Sequence, residues 1–250
     1  MTDEDFKKRL IGHLLAVHTP WGRWRMGLYI GWKRWSWKCV VVSSHLLKRC
    51  FDLIVSLLAL VVLLPVFLGI AILVKADGGP VFFRQTRIGR MGREFKMLKF
   101  RSMVVDAEAR LKDLLAHNEK ASGVTFKMKE DPRITRIGRI LRKSSLDELP
   151  QFWNVLVGDM SLVGPRPPVR REVDLYTQED RRRLLVRPGI TCLWQIGERN
   201  RGFWEIGDRN AIDFPEQVAL DVRYIENRSF LGDLWILAKT IPAILFGKGA

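Results

Sequence analysis

The chain has 250 residues and a formal net charge of +15 at pH 7, a length that suits one or two domains. Such a basic excess fits nucleic acid, anionic lipid or a phosphorylated substrate equally well. The three cysteines are widely spaced and form no C-x-x-C or Cys/His pattern, which argues against a zinc site and favours a reducing compartment.

Residues 1–45 form a basic arm that is rich in tryptophan. Large apolar residues recur in it at spacings of three and four and therefore share one helical face: Trp21, Trp24, Leu28, Trp32 and Trp35. Arginines and lysines are interleaved with them, a composition typical of a helix in the lipid headgroup layer. The alternative is a helix whose aromatic residues pack on the protein's own core. We favour the interfacial helix, because three glycines weaken helix formation in water.

An uncharged apolar run follows at residues 53–74. At about 1.5 Å per residue it reaches roughly 33 Å as a helix, enough to cross a bilayer. Pro65 lacks the N–H that would pair with the carbonyl of Val61, so a kink is expected there. Basic residues flank both ends, and short basic flanks stay in the cytoplasm. We therefore predict a re-entrant helix hairpin over residues 46–76; an ordinary kinked transmembrane helix is the alternative.

Residues 77–250 are predicted to form a cytoplasmic domain of the α+β class that is mostly helical. Strand patterns at 80–83 and 94–100, with glycines between them, predict a small β-hairpin. Ser145, followed three residues later by Glu148, fits a capping box and predicts a helix that begins at Leu146. Helices are also predicted at 214–225 and 230–246, and the apolar face of the last one is a second candidate for lying on the bilayer.

Asp147 and Glu148 are the strongest candidates for chemistry. Adjacent carboxylates at a helix start often do no more than complement the helix dipole. Here, however, Arg142 and Lys143 precede them, and a capped helix start is a natural anion site. An aspartate nucleophile next to a glutamate that holds Mg²⁺ suits phosphoryl transfer, in which positioning and charge neutralisation supply most of the catalysis.

Several basic residues are candidates for contacts with a substrate phosphate. Arg166 lies between prolines, which suits a fixed bidentate phosphate contact. Lys99 and Arg101 lie at the end of a predicted strand, and Arg199 and Arg209 each precede an asparagine in a Gly-rich stretch. For each of these taken singly, a solvated surface charge is the alternative.

These motifs, in this order, resemble those of the monotopic phosphoglycosyl transferases of the bacterial sugar transferase family. The resemblance covers roughly residues 48–246. The segments that carry it are KRCFD at 48–52, FFRQ at 82–85, RIG at 87–89, KFRSM at 99–103, SLDELPQ at 145–151, GDMSLVGPRP at 158–167, RPGIT at 187–191, and LDV at 220–222 with YI at 224–225. One such segment could arise by chance, whereas the whole set in sequence order is highly specific.

The resemblance implies an undecaprenyl-phosphate sugar phosphotransferase. Such an enzyme transfers a sugar-1-phosphate from a UDP-sugar to undecaprenyl phosphate and releases UMP, as the first step of exopolysaccharide, capsule or O-antigen assembly. It implies that Asp147 attacks the β-phosphate and carries the phosphosugar covalently, that Glu148 holds Mg²⁺, and that Arg166 contacts phosphate. The family also has a re-entrant membrane helix broken at a proline, which Pro65 matches.

The resemblance further implies a monotopic membrane protein with amphipathic interfacial helices, at the cytoplasmic face of the bacterial inner membrane. The implied partners are a UDP-sugar, undecaprenyl phosphate and membrane lipids, with no nucleic acid. A homo-oligomer is one alternative for the oligomeric state, and the sequence does not identify the sugar.

Three features depart from the family pattern. Cys192 stands where the family usually has glycine. About ten extra residues precede residue 207, so Arg199 and Arg209 compete for one family arginine; we choose Arg209 because it keeps the usual spacing to Asp221. The Trp-rich arm matches neither the minimal members of the family nor the larger ones that have four spanning helices.

Two other functions fit parts of the sequence. A non-catalytic, basic membrane-surface scaffold that recruits assembly enzymes would need only the arm, the hairpin and the terminal helix. Nucleic-acid binding is supported by net charge alone, and the apolar run argues against it.

Overall fold

The structure of the protein is a computed structural model. It describes residues 4, 19–76, 78–107, 109–110, 131–196 and 212–246. Contacts between residues divide the chain into two compact units, Met1–Lys48 and Arg49–Ala250.

Helix α1 (Pro20–Val62) begins in the first unit and contains the predicted aromatic face. Trp21, Trp24, Trp32 and Trp35 are each between 57% and 65% exposed. The rings of Trp21 and Trp24 stack on each other with centroids 5.0 Å apart. From Pro20 onwards the arm is therefore helical, and these four tryptophans are exposed.

The apolar run is broken where the sequence predicts a break. Helix α1 ends at Val62 and helix α2 (Leu64–Lys75) begins two residues later, with Pro65 in its first turn. The two helices are bent by 61°. Within the described residues no single helix is long and apolar enough to span a membrane, whereas the pair His45–Val62 and Leu64–Lys75 satisfies length and composition together.

Both arms of this bent pair carry exposed apolar side chains. They are Ile54, Leu57, Leu58, Val61 and Val62 on the first arm and Leu64, Val66, Leu68, Ile72 and Leu73 on the second. Exposed apolar surface of this extent marks a surface that meets lipid or another protein.

Two charged side chains, those of Arg49 and Asp52, hold the first helix of the bent pair against the rest of the second unit. Arg49 donates from Nη1 to the carbonyl of Val155 (2.7 Å) and from Nη2 to that of Leu156 (3.0 Å). The buried carboxylate of Asp52 accepts hydrogen bonds from the Ser161 hydroxyl (2.8 Å) and the Leu162 amide (3.2 Å). The KRCFD segment thus supplies two structural anchors.

The predicted β-hairpin is confirmed. Strand β1 (Phe82–Ile88) pairs with the antiparallel strand β2 (Glu94–Phe100) in a register that places Gln85 opposite Met97. The turn between them contains Met91 and Gly92 in the left-handed region, with φ of 56° and 77°. Because glycine adopts positive φ at no steric cost, Gly92 suits this turn.

The predicted capping box is wrong. Ser145 adopts a left-handed conformation with φ of 56°, and its side chain caps no helix. Residues Leu146–Glu148 form a 3₁₀ turn after helix α3 (Arg136–Lys143), and helix α4 (Gln151–Val157) begins only after Pro150. Pro150 explains the delay, because it has no N–H to pair with the carbonyl of Leu146, which the Leu149 amide contacts instead.

The remaining elements enclose the main core. Strand β3 (Ser161–Val163) pairs in parallel with strand β4 (Gly189–Thr191), and the short helix α5 (Arg170–Asp174) lies between them in sequence. Helices α6 (Phe214–Glu226) and α7 (Phe230–Phe246) confirm the two predicted C-terminal helices. The core that they cover includes Val155, Met160, Leu162, Cys192, Ile212, Tyr224 and Ile236. The described residues therefore form a mostly helical α+β fold, as predicted, with a second small sheet that was not predicted.

Candidate active site

The two adjacent acidic residues lie on the 3₁₀ turn between α3 and α4. Asp147 is buried, and Glu148 is partly exposed beside it. Lys99, at the end of β2, places its Nζ 2.6 Å from Oε1 of Glu148 and 3.8 Å from Oδ2 of Asp147. Arg166 places Nη1 3.7 Å from the same Glu148 oxygen. The structure thus brings together four of the predicted site residues.

The position of Lys99 depends on a buried asparagine that the sequence did not single out. The side-chain amide of Asn154 on α4 accepts from the Leu98 amide (2.9 Å) and donates to the Lys96 carbonyl (2.8 Å). It pairs with the edge of β2 as a neighbouring strand would, and so satisfies backbone groups that would be costly to bury alone. Asn154 thereby fixes β2 against the helix that follows the acidic turn.

The turn that carries Arg166 is held on both sides. The Gly164 amide donates to the Thr191 carbonyl (3.0 Å), and the Gly189 amide donates to the Pro165 carbonyl (2.9 Å). The approach is so close that a Cβ added at Gly189 would lie 2.1 Å from the Gly164 nitrogen. Glycine is therefore required at this position for steric reasons, and the backbone of Arg166 is held close to β4.

Arg87 is a site residue that sequence reasoning missed. It donates from Nη1 to the Pro167 carbonyl (2.9 Å) and from Nη2 to Oε1 of Gln85 (2.7 Å). Burial, with the nearby charge of Arg166, lowers the pKa of Arg87 to about 10. Alternation along β1 places Gln85 and Arg87 on one face of that strand, and the register of the hairpin brings Met97 and Lys99 onto the same face.

Several of these residues line one pocket, and Asp147 lies next to it without being part of its lining. Its walls are formed by Arg87, Met97, Lys99, Glu148, Gln151, Arg166, Pro167, Gly189 and Ile190. Burial raises the pKa of Asp147, the nearby Lys99 ammonium opposes that rise, and the neighbouring Glu148 carboxylate adds to it. The pocket therefore offers cationic groups that could bind an anion. They lie next to the Asp147 carboxylate, which desolvation has made more basic.

The two carboxylates of the acidic turn, of which Glu148 lines the pocket, fit a magnesium ion. Within the part of the chain that the structure describes, no three His, Cys, Asp or Glu side chains form a metal-binding group. Magnesium does not require such a group, because proteins commonly bind it through one or two carboxylates together with substrate phosphates and water. The adjacent Asp147 and Glu148 carboxylates supply hard oxygen ligands of that kind.

Other predicted site residues lie elsewhere. Among the described residues, Arg101 is not part of the lining of this pocket. It is buried and donates from Nε to the Pro80 carbonyl (2.7 Å) and from Nη2 to the Val74 carbonyl (2.9 Å), and so fastens the end of α2. Both Arg199 and Arg209 lie outside the described residues. Cys192 is a buried core residue whose thiol contacts Oε1 of Gln195 (3.1 Å).

Comparison with known proteins identifies the family. The family model described as "Bacterial sugar transferase" matches residues 43–247, so the chain belongs to that family. The chain is 48% identical over 208 residues to the galactosyl transferase CpsE of Streptococcus agalactiae. The matched region covers 83% of this chain and 44% of CpsE.

Two further relatives differ in how much of their own length the match covers. The chain is 43% identical over 207 residues to the exopolysaccharide production protein ExoY of Sinorhizobium fredii, covering 81% of this chain and 87% of ExoY. It is 42% identical over 211 residues to the undecaprenyl-phosphate galactose phosphotransferase of Salmonella typhimurium, covering 83% of this chain and 42% of that enzyme. The chain thus spans less than half of CpsE and of the Salmonella enzyme, and most of ExoY.

Proposed function

We propose that the protein transfers a sugar-1-phosphate from a UDP-sugar to undecaprenyl phosphate and releases UMP, as the first step of exopolysaccharide, capsule or O-antigen assembly. The observation that carries this proposal is the buried Asp147 carboxylate in contact with Lys99, beside Glu148 and Arg166. Family membership supports it, as do the names of the relatives, which include an undecaprenyl-phosphate galactose phosphotransferase and an exopolysaccharide production protein.

The proposed reaction has two displacements at phosphorus. A carboxylate oxygen of Asp147 attacks the phosphorus that bears the sugar, the bond from that phosphorus to the oxygen bridging the two phosphates breaks, and UMP leaves with the electron pair. A phosphate oxygen of the lipid then attacks the same phosphorus, which restores the carboxylate and yields the lipid diphosphosugar. Arg87, Lys99 and Arg166 line the pocket and would neutralise charge on the equatorial oxygens.

Magnesium is the cofactor that this reaction would use. Glu148 would hold the ion, and Asp147 lies next to it. When bound, the ion would supply further neutralisation of the diphosphate charge. The chain's own contribution is to hold Glu148 in place, which Lys99 does through the 2.6 Å contact with Oε1.

The first test is UMP release from a panel of UDP-sugars by the full chain in lipid bilayers containing undecaprenyl phosphate. We expect one or a few UDP-sugars to release UMP, and chelation of Mg²⁺ to abolish the release. Protein that binds membranes and releases no UMP with any member of the panel would instead support the scaffold function. Measurement of released UMP by chromatography separates these outcomes.

We also propose that residues 46–76 enter the inner membrane from the cytoplasmic face and return to it. The 61° bend, the exposed apolar residues on both arms and the basic flanks support this arrangement. The Trp-rich arm and α7 are proposed to lie on the same surface, where tryptophan and basic residues are favoured.

This topology makes a prediction for two variants with one introduced cysteine each, Thr19→Cys and Met91→Cys, in a background with Cys39 and Cys50 replaced by serine and the buried Cys192 retained. Because a hairpin keeps both flanks in the cytoplasm, both variants should resist a membrane-impermeant thiol reagent added to intact cells. Permeabilised cells provide the control, in which both should react. Labelling of one of the two positions in intact cells would show that the run crosses the membrane.

A further inference from the structure

A second cavity lies where α2 ends. It encloses about 290 Å³ and is lined by Leu73, Val74, Arg101, Thr135, Arg136 and Ile137, together with Ala76. Ligand sites in proteins commonly begin at this volume. Among the described residues it shares no lining residue with the pocket around Glu148. We call it the α2 cavity.

The walls of the α2 cavity differ in chemistry. Leu73, Val74 and Ile137 are apolar, whereas Arg101 and Arg136 bring guanidinium groups. Arg101 is fixed by its hydrogen bonds to the carbonyls of Pro80 and Val74, and Arg136 is an exposed side chain at the start of α3. A cavity that combines apolar walls with two guanidinium groups is complementary to an anion that carries a hydrocarbon chain.

The apolar wall continues along the helix outside the cavity. Ile72 and Leu73, in the last turns of α2, are 72% and 55% exposed. Leu68 and Leu64 extend this exposed apolar surface towards the bend at Leu63. A chain attached to an anion in the α2 cavity can therefore lie against α2 over most of its length.

The α2 cavity is joined to the active site by shared packing. Val74 belongs to the same apolar cluster as Phe100, Leu146 and Leu149, and the two leucines flank the acidic turn. Lys99 and Arg101, one lining each cavity, are two residues apart, which corresponds to roughly 7 Å of extended backbone. The wall of the α2 cavity and the acidic turn are therefore parts of one packed cluster.

We propose that the α2 cavity binds the phosphate end of the lipid acceptor, with Arg136 as a contact and Arg101 as a fixed charge, while the polyprenyl chain follows α2. This inference rests on the proposed function. A phosphate monoester carries about 1.5 to 2 negative charges near neutral pH. The two guanidinium groups match that charge better than they match the single charge of a phospholipid diester.

The test compares Arg136→Ala with Arg139→Ala, an exposed arginine one turn along the same helix that does not line the cavity. The full chain is studied in bilayers with the UDP-sugar that the panel identifies. We expect Arg136→Ala to raise the KM for undecaprenyl phosphate about tenfold, since it removes a charge-assisted hydrogen bond. The KM for the UDP-sugar and the single burst of UMP released without acceptor should not change. Arg139→Ala should resemble the unmodified protein, and Arg136→Lys should recover part of the loss.

Two outcomes would overturn the proposal. One is an acceptor KM that is the same for Arg136→Ala and Arg139→Ala. The other is a loss of binding to phosphatidylglycerol vesicles by Arg136→Ala with no change in acceptor KM, which would assign the cavity to a bilayer phospholipid. Failure of the proposed function is distinguishable from both, because the unmodified protein would then release no UMP either with or without acceptor.

Discussion

Replacement of Asp147 by asparagine is expected to lower the rate of UMP release by about a thousandfold or more, as is typical when a catalytic nucleophile is removed. Asparagine keeps the size of the side chain at this buried position but cannot form the acyl phosphate. Steady-state UMP release measures the loss. Mass spectrometry of acid-quenched protein without acceptor should detect a phosphosugar on the unmodified chain and none on the variant.

The matched control is Asp174→Asn, an exposed aspartate on α5 that should leave turnover unchanged. Asp147→Ala should reproduce the loss, which rules out deamidation of the introduced asparagine as a source of residual activity. Normal turnover by Asp147→Asn would show that the nucleophile has been assigned to the wrong residue. Thermal unfolding of each variant establishes that it is folded.

The second large effect is expected for Lys99→Met, which should lower kcat about a hundredfold. The Lys99 ammonium contacts both carboxylates, so its loss leaves two like charges together in a partly buried site. It also removes a donor from the charge that develops on the phosphoryl group, a type of loss that commonly costs a factor of 100 to 1,000.

Lys99→Met should also change the dependence of kcat on pH. Burial raises the pKa of Asp147 and Lys99 opposes the rise, so removing Lys99 moves that pKa further up. Because the carboxylate must be ionised to attack, activity is lost as the pH falls through this pKa. The acidic limb of the kcat profile should therefore shift to higher pH in the variant.

Lys96→Met is the control, because Lys96 is an exposed residue on the same strand whose ammonium contacts the Thr86 hydroxyl. It should change neither kcat nor the acidic limb. Lys99→Arg keeps the positive charge and should bring the limb back towards its original position. A Lys99→Met profile that coincides with that of the unmodified chain would contradict the proposed electrostatic role.

Local signals accounted for much of the fold. The break near Pro65, the β-hairpin and the two C-terminal helices each follow from residues that are neighbours in the sequence. The parallel pairing of β3 with β4 could not be predicted in this way. Each strand has only three residues, and β3 is buried on both faces and lacks an alternating pattern. Its partner, β4, begins 26 residues after β3 ends.

The charged residues of the candidate site were predicted from the sequence, and two of the residues that complete it were not. The acidic pair, Lys99 and Arg166 carry charge in motifs that are visible in the sequence, and the structure brings them together. Arg87 and Asn154 were missed because their importance depends on strand register and on which edge of β2 faces α4. The contacts of Arg101 could not be predicted, since Pro80 and Val74 approach it only in the folded chain.

The anchors at Arg49 and Asp52 have a mechanical consequence for a hairpin seated in a bilayer. They join the first helix of the bent pair to α4, whose amino end follows the acidic turn, and to β3, which leads into the turn that carries Arg166. The hairpin is thus hydrogen-bonded directly to the elements that position the candidate site, and no flexible linker separates them. In the topology that we propose, the depth of the hairpin in the bilayer and the height of Asp147 above the lipid tails are therefore set together.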